Sequence, residues 1–288
     1  ILYKGKFCFL LLISVFCTSA AVAQDIDALL DTLDVTLAEG HRYVDVRRSD
    51  IAVLKTELER AATDEERYSL AGRLREKYNS FDIDSALYFA NEKMRIARHI
   101  GNISYINDAR MNLAEMSGKQ GMYKEALDYI GSVDKARLDI YQIEYYYHVY
   151  RMVYGFMADN CSNPAEKRIY EKLTDNYRDS ILMVNPPESF NHIIVQADKN
   201  NVRGDFDTVI TALEAARSRF TDIHQRALID CTIAVAYAGK GDRENEKRYL
   251  ILSAIGDLKS GIREYTSLRK LAVMLYDDGD IDRAYAYM

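Results

Sequence analysis

Only three prolines, Pro164, Pro186 and Pro187, interrupt 288 residues. Proline removes a backbone donor and clashes with the preceding turn, so its scarcity permits long helices almost throughout. A sandwich or an alternating α/β enzyme would need far more turn punctuation. Cysteine is equally sparse: Cys8, Cys17, Cys161 and Cys231 form no C-x-x-C pair, which removes the common zinc and redox motifs. There is no Walker A loop, no G-x-S-x-G elbow and no H-E-x-x-H helix. The five histidines (His41, His99, His148, His192 and His224) are scattered singly. Acid pairs such as Glu65-Glu66 and Asp277-Asp278 fall near expected helix ends, where solvated charge explains them. The expectation is a non-enzymatic chain with no catalytic residue, no cofactor and no metal site. No glycine- or serine-rich linker divides it, so one continuous domain is expected after residue 25.

The composition, 48% hydrophobic and 28% charged, suffices for a well-buried helical core. At the N-terminus, Lys4 and Lys6 precede the apolar run from Phe7 to Val15, and Ala21-Val22-Ala23 supplies an A-x-A cleavage pattern. Residues 1–23 therefore read as a secretory signal peptide, with an uncleaved membrane anchor as the alternative. Phe16 before Cys17 is too large for a lipoprotein site. Removal of residues 1–23, with their two lysines, moves the net charge from −6 to −8. That balance argues against nucleic acid or anionic lipid as the partner of this segment. Cys161 and Cys231 fall in different repeats and are expected to be free, buried thiols. The chain starts at Ile1 and stops at Met288 within the second helix of a repeat; a solenoid normally closes with a capping helix, so a fragment lacking its C-terminal part is expected.

A repeated spacing organises the rest. Ala114, Gly121, Tyr123 and Ala126 recur as Ala197, Gly204, Phe206 and Val209. They recur again as Ala234, Gly241, Arg243 and Glu246, and as Ala272, Gly279, Ile281 and Ala284. Alanine lets two helix backbones approach, and glycine seven residues later takes the left-handed conformation that ends a helix. Asp205, Asp242 and Asp280 follow their glycines as candidate caps for the second helix. Tyr123, Phe206 and Ile281 are expected to plug the bend. A degenerate first unit keeps Leu74, Phe81, Ile83 and Ala86 without the glycine. Units follow at about 105–137, 139–183, 189–219, 225–258 and 263–288. Residues 25–40 read as an amphipathic helix with Leu29, Leu30, Leu33 and Leu37 on one side, ended by Gly40. A charged helix from Tyr43 to Leu58 is placed to cap the array. The domain boundaries expected are 1–23 signal peptide, 24–66 helical lead-in and 67–288 repeats.

One helix stands out. Tyr146, Tyr150 and Tyr154 fall at i, i+4 and i+8, one stripe on a helix. Such rings either stack on sugars and peptide side chains or pack helix against helix with their hydroxyls at the rim.

The skeleton of Leu113-Ala114, Gly121, Tyr123 and Ala126-Leu127 resembles the tetratricopeptide (TPR) repeat, without that family's tryptophan and terminal proline. The resemblance implies an all-α, right-handed TPR-like α-solenoid of about six helix pairs. More widely, the signal peptide, the charged lead-in, Asp84-Ser85-Ala86-Leu87-Tyr88-Phe89-Ala90 and Tyr177-Arg178-Asp179-Ser180-Ile181-Leu182 are similar to Bacteroidota-type TPR regulators. In these an exported repeat domain precedes a membrane helix, a coiled coil and a C-terminal domain related to helix-turn-helix regulators. The resemblance implies a periplasmic sensing domain, anchored in the inner membrane, of a transcriptional regulator whose DNA-binding part lies beyond Met288. A free periplasmic scaffold for envelope assembly is the alternative. TPR grooves are lined by first helices, and carried over by spacing the lining is Asp108, Met111 and Glu115, then Asn191, Ile194, Asp198 and Asn201, then Thr266, Arg269, Val273 and Tyr276. Tyr146 and Tyr150 join these as candidate lining. The implied partner is a protein or peptide, or a glycan, with self-association a further option. Chaperone-binding TPRs clamp a C-terminal carboxylate with lysine and asparagine; Met111 and Glu115 stand in the corresponding places, and Glu115 would repel that ligand.

Overall fold

A computed structural model of the chain describes residues 26–263 and 265–288; the expected signal peptide lies outside them. The described residues form fourteen α-helices and no strand. α1 spans 26–38 and α2 spans Gly40–Arg60. Six pairs follow: α3 (Asp64–Asn79) with α4 (Ile83–Ile100), α5 (Ile103–Lys119) with α6 (Tyr123–Gly131), and α7 (Ile140–Asp159) with α8 (Pro164–Val184). The last three are α9 (Phe190–Arg203) with α10 (Phe206–Arg217), α11 (Ile223–Lys240) with α12 (Arg243–Lys259), and α13 (Thr266–Asp277) with α14 (Ile281–Ala286). The fold is an all-α, TPR-like solenoid. No described helix is long and apolar enough to cross a membrane.

The local signals act as their chemistry dictates. Gly121, Gly204, Gly241 and Gly279 all adopt positive φ, between 73° and 86°, at the bend inside a pair. Ala114, Ala234 and Ala272 are essentially without exposed surface, as are Ala126 and Ala284 on the second helices. Asp242 accepts from the Asn245 amide at 3.1 Å and Asp280 from the Arg283 amide at 3.3 Å, each capping its helix. Asp82 caps the glycine-free first pair in the same way, through the Ser85 amide. Asn163 caps α8 with Pro164 in its first turn, and α8 ends at Asn185, ahead of two prolines. Two local expectations fail. Gly40 opens α2 rather than closing α1, with Glu39 as the turn, since the charged helix begins immediately. Ile281 is 40% exposed and plugs nothing, because α14 is a short helix whose buried contact is made by Ala284. Cys161 and Cys231 are free, but half-buried rather than buried.

The chain folds as two compact units. One comprises residues 44–215 and 261–263. In it Ile51 and Leu54 of α2 pack against Tyr68, Ala71 and Leu74 of α3 and Ala86, Phe89 and Ala90 of α4. Arg47 of α2 donates to the Lys77 carbonyl at 2.9 and 2.8 Å. The loop at 261–263 joins this unit: the Arg263 amide donates to the Ser80 carbonyl at 2.8 Å, and its guanidinium lies 4.5 Å from the centre of the Phe81 ring.

The other unit comprises residues 26–43, 216–260 and 265–288. Here α1 packs on the last helix pair. Ile26, Leu30 and Leu33 are buried with Leu268, Leu271, Ala284 and Tyr287 of the last pair. Burial of two leucines is worth about 1.5–3 kcal/mol each before ordering costs. Arg283 pairs with Asp34 at 3.0 Å and with Asp31 at 2.6 Å, and the Tyr287 hydroxyl donates to Asp34 at 2.5 Å. Arg217 makes a two-pronged ion pair to buried Asp230, at 2.6 and 3.0 Å.

Two glycine substitutions separate the two local constraints. Gly241→Ala meets no neighbour within 4 Å, yet must hold a φ of +73°; a loss of about 1–2 kcal/mol is expected from that alone, and Gly241→Asn should recover part of it. Gly256→Ala improves helix propensity but sets its Cβ 2.8 Å from the Ala227 Cβ, so it too should destabilise. Urea unfolding of both variants checks the pair of effects.

Candidate functional site

A tier of polar side chains runs through the inner helices of unit 44–215. Glu115 on α5 is buried. It accepts from Arg75 at 3.0 Å and Asn79 at 3.0 Å, both on α3, and from the Tyr145 hydroxyl on α7. Lys119, one turn on, lies 3.5 Å from the same carboxylate and donates to Asn79 at 2.7 Å. Beside it, Lys93 of α4 is buried, donates to Asp108 at 2.6 Å and Asn112 at 2.7 Å, and sits 4.7 Å from the centre of the Tyr68 ring. Tyr68 donates to Asp108 at 2.5 Å and stacks on Tyr105. Each charge removed from water here meets an opposite charge and further hydrogen bonds, the condition under which burial is tolerated.

The electrostatics follow from this packing. Burial alone would raise the Glu115 carboxyl; the positive charges of Arg75 and Lys119 and the Tyr145 hydrogen bond reverse it, to about 2. Glu115 is thus ionised at any ordinary pH and exchanges no proton in the range a general acid or base needs. Burial, with Arg151 nearby, holds the His148 imidazole neutral and lowers its pKa to about 4. Burial likewise lowers Lys93, against the pull of Asp108. This tier fixes three helices in register.

A second arrangement lies between α7, α8 and α9. Six tyrosines cluster on α7 and α8. Tyr150 stacks on Tyr177 at 4.7 Å between ring centres and meets Tyr146 edge-on at 5.0 Å. Tyr154 faces Tyr177 and Tyr170, and Tyr147 tilts against Tyr177. All are half-buried. The same three helices enclose an open cavity of about 600 Å³. Met152, Phe156 and Ala158 give it an apolar side, and Gly155 leaves room against Thr174. Arg178 of α8 donates to Asp198 of α9 at 2.9 Å, and Arg151 of α7 reaches the same carboxylate at 3.5 Å. Among the described residues, no group of three His, Cys, Asp or Glu side chains is placed to hold a metal.

The expected groove residues divide accordingly. Met111 has no exposed surface and packs with Ala126, Ile130 and Val149, so it cannot line an open groove. Glu115 is likewise withdrawn, held inward by Arg75 and Tyr145. Asp108 is committed to Lys93 and Tyr68. Tyr146 and Tyr150 belong to the aromatic cluster and Asp198 to the cavity. Asn191 is exposed and bonds Glu144, while Asn201 is half-buried on α9. Arg269 is exposed and Tyr276 is 53% exposed on α13, in the other unit.

The family model of the SusR N-terminal TPR domain matches residues 37–288. The chain belongs to that family. A comparison with curated proteins gives no match. Domains of the TPR type generally mediate protein–protein interaction and are generally non-catalytic. In this SusR-type domain the residues that spacing did not single out are the cations: Arg75, Lys93, Arg151 and Arg178. One signal was present. Arg151 is the only full charge between Glu144 and Asp159, in a stretch otherwise aromatic and apolar.

Two titrations give a pH signature. Glu115, depressed from 4.5 to about 2, contributes stability that is complete above pH 4.5 and lost as pH falls through 2. His148, depressed from 6.5 to about 4, contributes stability that is complete above pH 6.5 and eroded as pH falls toward 4. The urea midpoint should therefore drop between pH 7 and pH 4, and His148→Gln should flatten that part of the profile. Glu115→Ala, which leaves Arg75 buried and unpaired, should cost about 3–5 kcal/mol at pH 7.

Proposed function

We propose that this SusR-type domain is the non-enzymatic sensing part of a bacterial regulator, exported to the periplasm and anchored in the inner membrane. It holds a peptide, protein or glycan partner on the inner helices of its 44–215 unit. The observation that supports the reading best is the half-buried tyrosine cluster of α7 and α8, on helices that also border an open cavity. Stacked rings offer apolar area together with hydroxyl groups, the combination that recognises sugar faces and peptide side chains. Family membership over residues 37–288 supports an interaction role. Ligand binding then biases the packing of successive pairs, and a membrane helix beyond Met288 relays the change to a transcriptional output.

The test uses the intact regulator fused to a reporter. Tyr146→Ala with Tyr150→Ala should lower the ligand-induced response at least tenfold while circular dichroism retains the helical spectrum. A response that survives deletion of residues 67–288 would sink the sensing role.

A further inference from the structure

The cavity between α7, α8 and α9 carries an electrostatic imbalance. Arg151 and Arg178 share Asp198, which Arg178 holds at 2.9 Å while Arg151 stands at 3.5 Å; Arg178 also has Asp175 at 4.0 Å, whereas Arg151 has no second carboxylate in ion-pair range among the described residues. The Arg151 Nε is buried with no hydrogen-bond partner. Burial disfavours the Arg151 charge, and the second guanidinium adds to that against the pull of Asp198. A buried donor left without an acceptor is costly, more so when it is charged. The Arg151 side chain keeps 25% of its surface exposed, so an oxygen pair entering the cavity can meet that exposed part, and a planar guanidinium matches a carboxylate in two-pronged fashion.

The rest of the lining limits what that anion is. Lys167 adds one cation, but Asp159, Glu171 and Asp175 add three carboxylates, so the walls carry one more negative than positive charge. A phosphate or sulfate dianion would be repelled by that surplus; a single carboxylate is tolerated. Asp159 and Glu171 lie exposed at the rim and make no hydrogen bond or ion pair with the described residues. They call for donors on the far side of the ligand, hydroxyl or ammonium. Met152 and Phe156 supply the apolar side between.

We propose that this cavity binds a small monocarboxylate carrying hydroxyl or ammonium donors, such as a uronic-acid sugar or a short peptide. The carboxylate sits on Arg151 and Arg178, and the donors face Asp159 and Glu171. The proposal rests on the reading of the domain as a ligand-holding one and names the chemistry of the ligand and its place.

Titration calorimetry on the purified protein tests it, with galacturonate, a dipeptide, a neutral oligosaccharide and inorganic phosphate as probes. One of the two carboxylate probes should bind, and which one does identifies the source of the carboxylate. Arg151→Gln should weaken that binding at least tenfold. Since Arg151 is largely buried, Gly155→Leu serves as the second variant: its Cβ meets only Thr174, at 3.9 Å, so the side chain fills space without a clash at its base. Gly155→Leu should abolish binding with the melting temperature unchanged or raised, and Gly155→Ala is the folding control. Phosphate binding better than either carboxylate, carboxylate binding indifferent to both variants, or no carboxylate binding at all would overturn the proposal. A neutral oligosaccharide bound in a manner sensitive to Tyr150→Ala and insensitive to Arg151→Gln would overturn it too, while leaving the sensing role intact.

Discussion

Close approach of helix backbones is the constraint from which the rest of this protein follows. Two helices whose crossing point holds alanine or glycine pack with little between them, and any larger side chain there wedges them apart. Ala114, Ala234 and Ala272 occupy such points with essentially no exposed surface. At Gly256 even one added carbon would collide with Ala227. The bend between paired helices then has to be tight, which a glycine at positive φ allows. Repetition of these two devices fixes the helix pairs, and the pairs set which side chains face inward.

Inner faces so close together force a choice on every long side chain. On α3, α5 and α7 the choice is mutual neutralisation: Arg75, Lys119 and Tyr145 converge on Glu115 within a few ångströms, with the Arg75 Nε left buried and unpartnered. Removing any one leaves the others charged or polar and dry, so the tier specifies helix register more than it adds stability. On α7, α8 and α9 Asp198 serves two guanidiniums, with Asp175 4.0 Å from Arg178 as well. The two arrangements differ in access, since the second borders an open cavity.

Much of this was legible in the residues, and the exceptions have physical causes. The Ala-x6-Gly spacing carries its own geometry, so the four units that hold it fell close to the observed pairs. The degenerate first pair was legible through Leu74, Phe81, Ile83 and Ala86, and Asp82 caps its second helix where no glycine is present. Spacing failed for Met111 and Glu115 because it gives a direction around a helix and not what the neighbouring helix presents. Arg75 and Tyr145, both from other pairs, close over Glu115, and Ile130 and Val149 pack with Met111. The amphipathic face of residues 26–38 was equally plain, but an apolar stripe does not name its partner. Its partner proved to be α13 and α14. Cys161 is half-buried because it lies in the α7–α8 loop, where a helical expectation of burial does not apply.

That last pairing bears on how the molecule comes into being. Helix arrays usually assemble from neighbouring contacts and mature quickly, since little chain has to be gathered. Here Asp31 must find Arg283 across almost the full length of the polypeptide. Residues 26–38 therefore wait for α13 and α14, with Ile26, Leu30 and Leu33 uncovered in the interim. During synthesis that apolar side is open to holding factors, and the docking of 26–38 follows the formation of the middle pairs.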